Sequence, residues 1–416
     1  MPEEWVSREF FGGRLAAGRD IFKHMRRREF LSLAVGAATQ APRLWAGTNI
    51  DEVLRTGIAR RKIPAVVAMA STERKTLYTG AFGVRDGGGT PVNAGAIFAI
   101  ASMTKAVTTV AALQLVEQAK VTLDEPVAKH LPKLEKLDVL EGFDAAGKPI
   151  LRPAKTPVTL KHLLTHTSGF CYDTWDERMF RYAKQAGPGT IGPLMFEPGT
   201  RWQYGQGCDW AGRLVESISG MTLEDYFQAK ILRPLGMEDT SYIFPAAKFD
   251  RLVTRWTREN GGRLKPVERS MPKPPTSFNG GGGLYSTAAD YTRFMQMILR
   301  KGEDILQPKT VAGMTVNQIG SATAGKMPSF NHDVSADVDI QPGATEKWGL
   351  GFLINTTAYQ GGRAAGSLAW AGLYNTFYWI DPKSKICGVI LMQFLPFADQ
   401  EALGLLTDFE HAVYGA

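Results

Sequence analysis

The chain has 416 residues, of which 44% are hydrophobic and 21% are charged. This composition is that of an ordinary globular protein, and it excludes a disordered, collagen-like or coiled-coil chain. Lys and Arg exceed Asp and Glu by seven, but the first 46 residues hold eight basic and five acidic residues, which leaves 40 basic against 36 acidic for the rest. Because this remaining excess is small, we expect no nucleic-acid partner.

The N-terminal segment predicts an export signal. Arg27-Arg28 is followed by Phe30-Leu31 and then by a short, mildly apolar stretch, which is typical of a twin-arginine signal. That stretch is shorter than the roughly 20 apolar residues that a membrane span needs, so we expect no transmembrane segment. We therefore predict a leader over residues 1–46 and an exported, periplasmic protein. The alternative is a basic amphipathic helix on a cytoplasmic protein.

The body of the chain has strand patterns near both ends and helical patterns between them. Apolar or alternating runs predict strands over 65–70, 76–84, 349–355, 376–380 and 386–394. Helical patterns cover 102–118, 159–165, 209–219, 289–299 and 399–414, another helix begins at 223, and 321–347 is predicted as a long loop.

These elements predict an α+β fold. We expect an antiparallel sheet lobe built from both chain termini, residues 47–122 and 284–416, flanked by helices. A mainly helical lobe, residues 123–283, would be inserted between the two parts of the sheet lobe. The helix over 102–118 is apolar almost all round, so we expect it to be buried.

Cysteine and histidine spacings argue against structural metal or disulfide frameworks. Cys171, Cys208 and Cys387 are too few for a disulfide framework, and we expect small, buried, unpaired thiols. A bridge between Cys171 and Cys208 stays open as an alternative. His162 and His166 have the i, i+4 spacing of metal ligands, but no third ligand accompanies them. We expect no metal and no cofactor, and we expect His166 to order the loop that follows it.

The S-x-x-K pattern occurs twice, and its two contexts differ. Prolines at 272, 274 and 275 prevent a helix at Ser270-Met-Pro-Lys273. At Ser102-Met-Thr-Lys105 the i, i+3 spacing stacks both side chains on one face of the predicted helix. Ser102 would lie at the helix N-terminus, and burial would lower the pKa of Lys105 so that the amine helps to deprotonate the hydroxyl. By itself the pattern is also compatible with a helix cap and a solvated lysine.

Several further segments, together with the motif around Ser102, carry a resemblance to a known family. The segment Phe98-Ala-Ile-Ala-Ser-Met-Thr-Lys105 is followed, in order, by Leu163-Leu-Thr-His-Thr-Ser-Gly-Phe170, Glu197-Pro-Gly199, Leu235-Gly-Met237, Gly282-Gly-Leu-Tyr-Ser-Thr287 and Trp348-Gly-Leu-Gly351. From about residue 50 to its end the chain resembles the class C-like serine hydrolases of the serine β-lactamase/penicillin-binding-protein superfamily. The Gly280–Gly283 run is expected to allow a close backbone approach.

The resemblance implies roles for individual residues. Ser102 would be the nucleophile, and Lys105 and Tyr204 would transfer its proton. The backbone amides of Ser102 and Leu373 would form the oxyanion hole. The family's Tyr-x-Asn motif matches Tyr204-Gly-Gln206, with Gln206 in place of Asn, and this departure puts amide-specific substrate contacts in doubt.

A second departure concerns the family's Lys-Thr-Gly motif, which corresponds to Trp370-Ala371-Gly372. Esterase-like members carry Trp-Gly-Gly there. We expect these three residues, with Gln206, to bind substrate, and we expect Trp370 to offer an apolar wall in place of a carboxylate-binding lysine. Another basic residue, such as Arg363, could replace the missing cation.

We therefore predict a serine hydrolase that forms an acyl-enzyme, with small-molecule esters or acyl compounds as substrates, and above all a carboxylesterase. The enzymatic alternative is a β-lactamase or D-alanyl peptidase. The non-enzymatic alternative is a silent family member that binds peptidoglycan fragments or a partner protein. The sequence leaves the acyl and alcohol specificity and the oligomeric state open.

Overall fold

A computed structural model describes residues 49–186, 191–259, 262–340 and 342–415. The predicted leader, residues 1–46, lies outside the described residues, so the export signal stays a prediction. The α-helices in the described ranges are α1 (Ile50–Arg61), α2 (Thr104–Glu117), α3 (Leu160–Leu164), α4 (Glu177–Ala183), α5 (Gly207–Ser219), α6 (Leu223–Phe227), α7 (Ala288–Leu299), α8 (Pro308–Met314) and α9 (Gln400–Tyr414).

The strands in the same ranges are β1 (Ala65–Thr72), β2 (Thr76–Gly83), β3 (Phe98–Ala99), β4 (Asp138–Phe143), β5 (Pro149–Pro153), β6 (Trp256–Arg258), β7 (Leu264–Pro266), β8 (Tyr285–Ser286), β9 (Glu346–Trp348), β10 (Leu353–Asn355), β11 (Leu368–Gly372), β12 (Thr376–Asp381), β13 (Ile386–Leu391) and β14 (Phe394–Leu395). None of the helices in this part of the chain has the length and apolar content that crossing a bilayer requires.

The main sheet has seven strands in the order β2-β1-β13-β12-β11-β10-β9, and its neighbouring strands are antiparallel. Residues from the two ends of the chain therefore meet in one sheet, because β1 pairs with β13. Every residue of β12 and β13 is buried, since helices α1 and α9 pack against each other beside the sheet and α7 packs on β1 and β13. The α+β prediction is confirmed.

Helix α2 lies at the centre of the molecule and carries the lysine of the S-x-x-K motif. Its residues from Thr104 to Leu115 are buried, as expected for a helix that is apolar almost all round. It packs against α5 and α6. Its polar side chains find partners inside the protein, for example Thr108 Oγ1, which donates a hydrogen bond of 2.6 Å to the Gly280 carbonyl.

The predicted strand over 349–355 is wrong, because this stretch contains a turn. Strands β9 and β10 flank Gly349–Phe352 and pair with each other as a hairpin. Gly351 has φ +83°, and a Cβ there would lie 2.5 Å from Thr109 Oγ1 on α2, so both the turn and the packing require glycine. Apolar Leu350 and Phe352 are buried within the turn, which is why the stretch looks like one strand in the sequence.

The predicted strand over 386–394 is also divided. Strand β13 ends at Leu391, whereas β14 leaves the main sheet and pairs in parallel with β6 in a separate three-stranded sheet. Helix α1 and the β4–β5 hairpin were not predicted from the sequence. By contrast, the helices predicted at 159–165, 209–219, 289–299 and 399–414 are present with closely similar bounds.

The three cysteines are buried and free, so Cys171 and Cys208 do not form the bridge that was left open. Burial raises the pKa of the Cys208 thiol to about 12 and that of Cys387 to about 12. These thiols are therefore neutral at physiological pH, and thiols without thiolate character are poor nucleophiles.

Candidate active site

Ser102 lies on a strained turn at the start of the central helix. Strand β3 leads into the 3₁₀ turn Ala101–Met103, which continues directly into α2. Ala101 has φ +43°, a left-handed conformation that costs a non-glycine residue free energy and that is often found at functional sites. The first amides of a helix also lack intrahelical acceptors. Ser102 thus occupies a position where both its hydroxyl and its backbone N–H are available for chemistry.

Lys105 connects Ser102 to two other segments of the chain. The residue is 1% exposed, and its ammonium group donates hydrogen bonds to the Gly281 carbonyl (2.6 Å), to Ser102 Oγ (3.0 Å) and to Tyr172 Oη (3.2 Å). Three partners match the three protons of an ammonium group. The Gly280–Gly283 run makes the close backbone approach that its sequence predicts, because a Cβ on Gly280 would lie 2.2 Å from the Cys208 carbonyl oxygen.

The predicted lowering of the Lys105 pKa is wrong. Burial by itself lowers the pKa of this group, but electrostatic attraction between the ammonium group and Tyr172, Tyr204 and Asp209 raises it more, and the net pKa lies above the ordinary value for lysine. Lys105 is therefore an ammonium ion at neutral pH. It donates a hydrogen bond to Ser102 Oγ and cannot itself accept the serine proton in this state.

Tyr172 and Asp209 complete the site, and the sequence analysis missed both. The Tyr172 hydroxyl donates to Asp209 Oδ2 at 3.2 Å, and Asp209 Oδ1 accepts the Gly281 N–H at 2.9 Å. Together with Lys105 and the Gly281 carbonyl, these groups form a closed ring of hydrogen bonds. Tyr172 lies two residues after the Leu163–Phe170 motif, and Asp209 lies on the first turn of α5, five residues after Tyr204. Their proximity to motifs was the only signal in the sequence.

Tyr204 lies next to the ammonium group of Lys105, as the resemblance predicts. The Lys105 nitrogen is 4.9 Å from the centroid of the Tyr204 ring, and the Tyr204 hydroxyl accepts a hydrogen bond of 3.2 Å from Trp370 Nε1. Ser102, Lys105 and Tyr204 are thus brought together by the fold. Their catalytic roles stay predictions.

Strand β11 brings the third motif against the segment that precedes Ser102. A Cβ on Gly372 would lie 2.2 Å from the Ile100 carbonyl oxygen, so the end of the strand touches the backbone two residues before Ser102. Leu373 follows immediately. This contact places the two predicted oxyanion-hole residues in neighbouring segments, and the oxyanion hole itself stays a prediction.

Trp370 is 4% exposed and packs against Tyr204 and Trp348. Its ring packs 4.8 Å from that of Tyr204 and 4.7 Å from that of Trp348. The indole therefore orients the phenol, and the expected apolar wall toward substrate stays a prediction. Direct contact of substrate with Trp370, Ala371 and Gly372 stays a prediction.

Arg363 cannot replace the missing lysine of the third motif. Its side chain is 3% exposed and forms a bidentate ion pair with Glu410, with Nε–Oε1 and Nη2–Oε2 distances of 2.9 and 2.5 Å. Breaking such a buried pair would leave a charge uncompensated, which is strongly destabilising. The possibility left open in the sequence analysis is therefore wrong.

A cleft of about 430 Å³ opens beside the site. We call it the Tyr172 cleft. It is lined by Tyr172 and Asp209, by apolar Phe170, Ile191 and Trp210, and by Gln206, Arg213 and Asn279. The predicted substrate-binding residue Gln206 therefore lies on a cleft wall. A larger cavity of about 520 Å³ lies around Glu224 and Phe244 and contains neither Ser102 nor Lys105.

The histidine pair does not form a metal site. Among the described residues, no group of three His, Cys, Asp or Glu side chains could hold a metal ion. His162 Nδ1 accepts the Thr159 N–H in a helix cap. His166 contacts the Tyr204 segment: its Nδ1 accepts the Gly205 N–H at 3.4 Å, and its ring centroid lies 4.7 Å from that of Tyr204.

Replacing His166 should change how stability depends on pH. Burial, and secondly the charge of Lys105, hold the pKa of His166 well below its usual value. As pH falls, His166 therefore binds a proton in the unfolded chain before it does so in the folded protein. The contribution of His166 to the free energy of unfolding is complete above a pH of about 6.5. Below this pH it is lost by at most about 1.4 kcal/mol per pH unit. The amide oxygen of His166→Asn can accept the Gly205 N–H without titrating. Urea unfolding between pH 5 and 7 should show a flatter profile for this variant, and equal slopes would contradict the assignment.

Tyr172→Phe and Asp209→Asn should slow the enzyme by weakening the support of Lys105. Hydrogen bonds to charged groups contribute about 1.5–3 kcal/mol, so we expect kcat for p-nitrophenyl butyrate to fall about 10-fold or more with a smaller change in KM. Tyr182→Phe is a matched control, since Tyr182 packs in a separate cluster around Leu140. If neither Tyr172→Phe nor Asp209→Asn differed from this control, the ring of hydrogen bonds would have no role in turnover.

Comparison with known proteins agrees with this geometry. The family model described as beta-lactamase matches residues 50–411. The chain belongs to the beta-lactamase family. Proteins similar to it include monacolin J acid methylbutanoyltransferase from Aspergillus terreus, which is 33% identical over 88% of this chain and 95% of its own length. Another is lovastatin esterase from Penicillium rubens, which is 31% identical over 88% of this chain and 98% of its own length.

A solved structure gives the same result for this beta-lactamase family member. Simvastatin synthase (LovD) from Aspergillus terreus, LovD6 mutant, superposes with a TM-score of 0.78 and 32% identity, over 88% of this chain and 96% of that chain. The predicted superfamily and its esterase-like branch are confirmed. The chain is a serine hydrolase-type enzyme whose relatives are acyltransferases and esterases.

Proposed function

We propose that Ser102 takes the acyl group from small carboxylic esters and passes it to water or to an acceptor alcohol. The observation that carries this proposal is the 3.0 Å hydrogen bond from the buried Lys105 ammonium to Ser102 Oγ, with the Tyr204 ring against the same ammonium. The names of the relatives support both outcomes, since one is an esterase and another a methylbutanoyltransferase.

The charge state of Lys105 supports proton transfer through Tyr204, which enters this proposed step as a phenolate. Ser102 Oγ attacks the ester carbonyl, a C–O bond forms, and the serine proton passes to the phenolate oxygen of Tyr204, which becomes a neutral phenol. The Lys105 ammonium and the Trp370 N–H, both next to this phenol, stabilise negative charge on it. Tyr204 then protonates the departing alkoxide as its bond to the acyl carbon breaks. Water or an alcohol repeats the sequence in reverse and releases Ser102.

Backbone amides stabilise the tetrahedral intermediate in this proposal. The N–H groups of Ser102 and Leu373 would donate to its oxyanion. The contact between Gly372 and Ile100 supports this arrangement, because it holds the end of β11 against the segment before Ser102.

The enzyme should prefer esters to β-lactams. Gln206 and Trp370 replace the amide-binding Asn and the carboxylate-binding Lys of the family motifs, and Arg363 is held by Glu410. A lost charge-assisted hydrogen bond is worth about 1.5–3 kcal/mol, or about 10- to 150-fold in kcat/KM. We therefore expect kcat/KM for p-nitrophenyl butyrate to exceed that for nitrocefin by at least about 10-fold. A higher value for nitrocefin would instead favour a β-lactamase.

A further inference from the structure

A small polar cavity lies beside the segment that leads into Ser102. Its volume is about 170 Å³, and it is lined by Ala99, Tyr374, Arg255, Arg269 and Gln393 among others; we call it the Arg255 pocket. Ala99 precedes Ser102 by three residues, and three residues of chain span at most about 11 Å. Tyr374 directly follows the predicted oxyanion-hole residue Leu373. A group bound here is therefore within reach of a small substrate held at Ser102.

Two arginines supply positive charge to the Arg255 pocket. Arg255 Nη1 donates to the Tyr374 hydroxyl at 3.2 Å, and its guanidinium carbon lies 5.8 Å from the centroid of the same ring. Arg269 Nη2 donates to the Phe249 carbonyl, and its guanidinium carbon lies 4.3 Å from the Phe249 ring centroid. Both arginines are thus held in position by neutral partners, which orient the guanidinium groups without neutralising their charge.

Two neighbouring arginines differ from Arg255 and Arg269, because carboxylates neutralise their charge. Arg251 pairs with Asp239 at 2.6 Å, and Arg258 pairs with Asp399 at 2.6 Å. Within the described ranges, neither Arg255 nor Arg269 has a carboxylate at ion-pair distance. The one carboxylate on the wall of the pocket belongs to Glu268, which is exposed. The wall therefore carries two cations against one anion.

The pocket is firmly connected to the catalytic segment. Gln393 Oε1 accepts the Ala99 N–H at 3.0 Å, and β3, which ends at Ala99, pairs with β8. Phe394, the next residue, donates its N–H to the Tyr374 carbonyl at 3.2 Å. A ligand that engaged the two arginines would be positioned relative to Ser102 through these backbone contacts.

We propose that the Arg255 pocket binds a carboxylate group of the substrate, so that the enzyme favours esters that carry a free acid. This inference rests on the proposed function. A planar guanidinium group binds a carboxylate through two parallel hydrogen bonds, and the cations of the pocket are placed for such a contact. The acid group can belong to the acyl part or to the alcohol part of the ester.

The test compares ester pairs that differ only in this charge. For the acyl part the pair is 4-nitrophenyl hydrogen glutarate and methyl 4-nitrophenyl glutarate; for the alcohol part it is 4-carboxyphenyl butyrate and its methyl ester. The measured quantity is the ratio of kcat/KM for the acid to that for its neutral partner. In Arg255→Gln and Arg269→Gln this ratio should fall about 10-fold or more for at least one pair.

Two further variants separate this pocket from general charge effects. Arg263→Gln removes an exposed arginine between β6 and β7, near Arg255 in sequence, and should leave both ratios within about 2-fold of the wild type. Arg213→Gln removes the cation of the Tyr172 cleft. If Arg213→Gln lowered a ratio and Arg255→Gln lowered neither, the acid group would bind in that cleft and the proposal would be overturned.

A binding measurement keeps the proposal testable without turnover. Glutarate should bind to Ser102→Ala in calorimetry, and the added change Arg255→Gln should weaken its affinity about 10-fold or more. Equal affinities in the two proteins would overturn the carboxylate pocket. Absence of turnover on every neutral ester would instead contradict the proposed function, because glutarate binding does not depend on catalysis.

Discussion

Ser102→Ala should lower kcat for p-nitrophenyl butyrate by at least about 10⁴-fold. The variant loses the hydroxyl oxygen that accepts a 3.0 Å hydrogen bond from Lys105 in the strained turn after Ala101, and nucleophile removal in serine hydrolases lowers kcat on this scale or more. Because the hydroxyl is small, the buried packing around α2 stays intact and the thermal unfolding temperature should change little. Initial rates with the folded variant provide the measurement.

Ser384→Ala is the matched control for this result. Ser384 lies in the turn between β12 and β13, far along the chain from Ser102, and its replacement should leave kcat within about 2-fold of the wild type. Substantial residual turnover in Ser102→Ala, with the control unchanged, would show that another residue carries out the acyl transfer.

Lys105→Ala and Tyr204→Phe should each lower kcat by at least about 10²-fold, the scale expected for a positioned acid–base group, with a modest change in KM. Removing Lys105 takes away the charge next to Tyr204 and leaves the Gly281 carbonyl and Tyr172 without their partner. Tyr204→Phe keeps the ring between Trp370 and His166 and removes only the proton acceptor. Kinetics on both variants, with unfolding temperatures, give the comparison.

The two variants also distinguish a proton carrier from a residue that only lines the site. If Tyr204→Phe kept near-normal turnover while Lys105→Ala did not, Tyr204 would be a packing residue and the proton would pass elsewhere. Tyr172, which hydrogen-bonds to Lys105 at 3.2 Å, would then be the next candidate.

Much of the fold follows from local apolar patterns. The buried helix at Ser102 and the strands β1, β2, β12 and β13 were predicted because each has one continuous pattern. The hairpin of β9 and β10 was not, because buried apolar residues continue through its turn, and only the fold reveals that Gly351 must lie against Thr109. Local periodicity does not encode such a contact between distant segments.

The candidate site was likewise predicted in part from local motifs, while other features depend on contacts between distant segments. Ser102, Lys105 and Tyr204 stand in recognisable motifs, and the structure brings them together. The raised pKa of Lys105 depends on Tyr172, Tyr204 and Asp209, which lie 67 or more residues along the chain. The ion pair with Glu410, which prevents Arg363 from replacing the missing lysine, is likewise an effect of tertiary packing. Motifs therefore identify candidate reacting groups, while the charge states of these groups depend on neighbours that the sequence does not place.

The most direct test of the proposed acyl-enzyme is peptide mapping by mass spectrometry after reaction with a fluorophosphonate probe. We predict one adduct, on the peptide that contains Ser102, and none in Ser102→Ala. Ser270, in the second S-x-x-K pattern, is an internal control and should stay unlabelled because no helix places Lys273 beside it. An adduct on any serine other than Ser102, or an undiminished adduct in Ser102→Ala, would contradict the account.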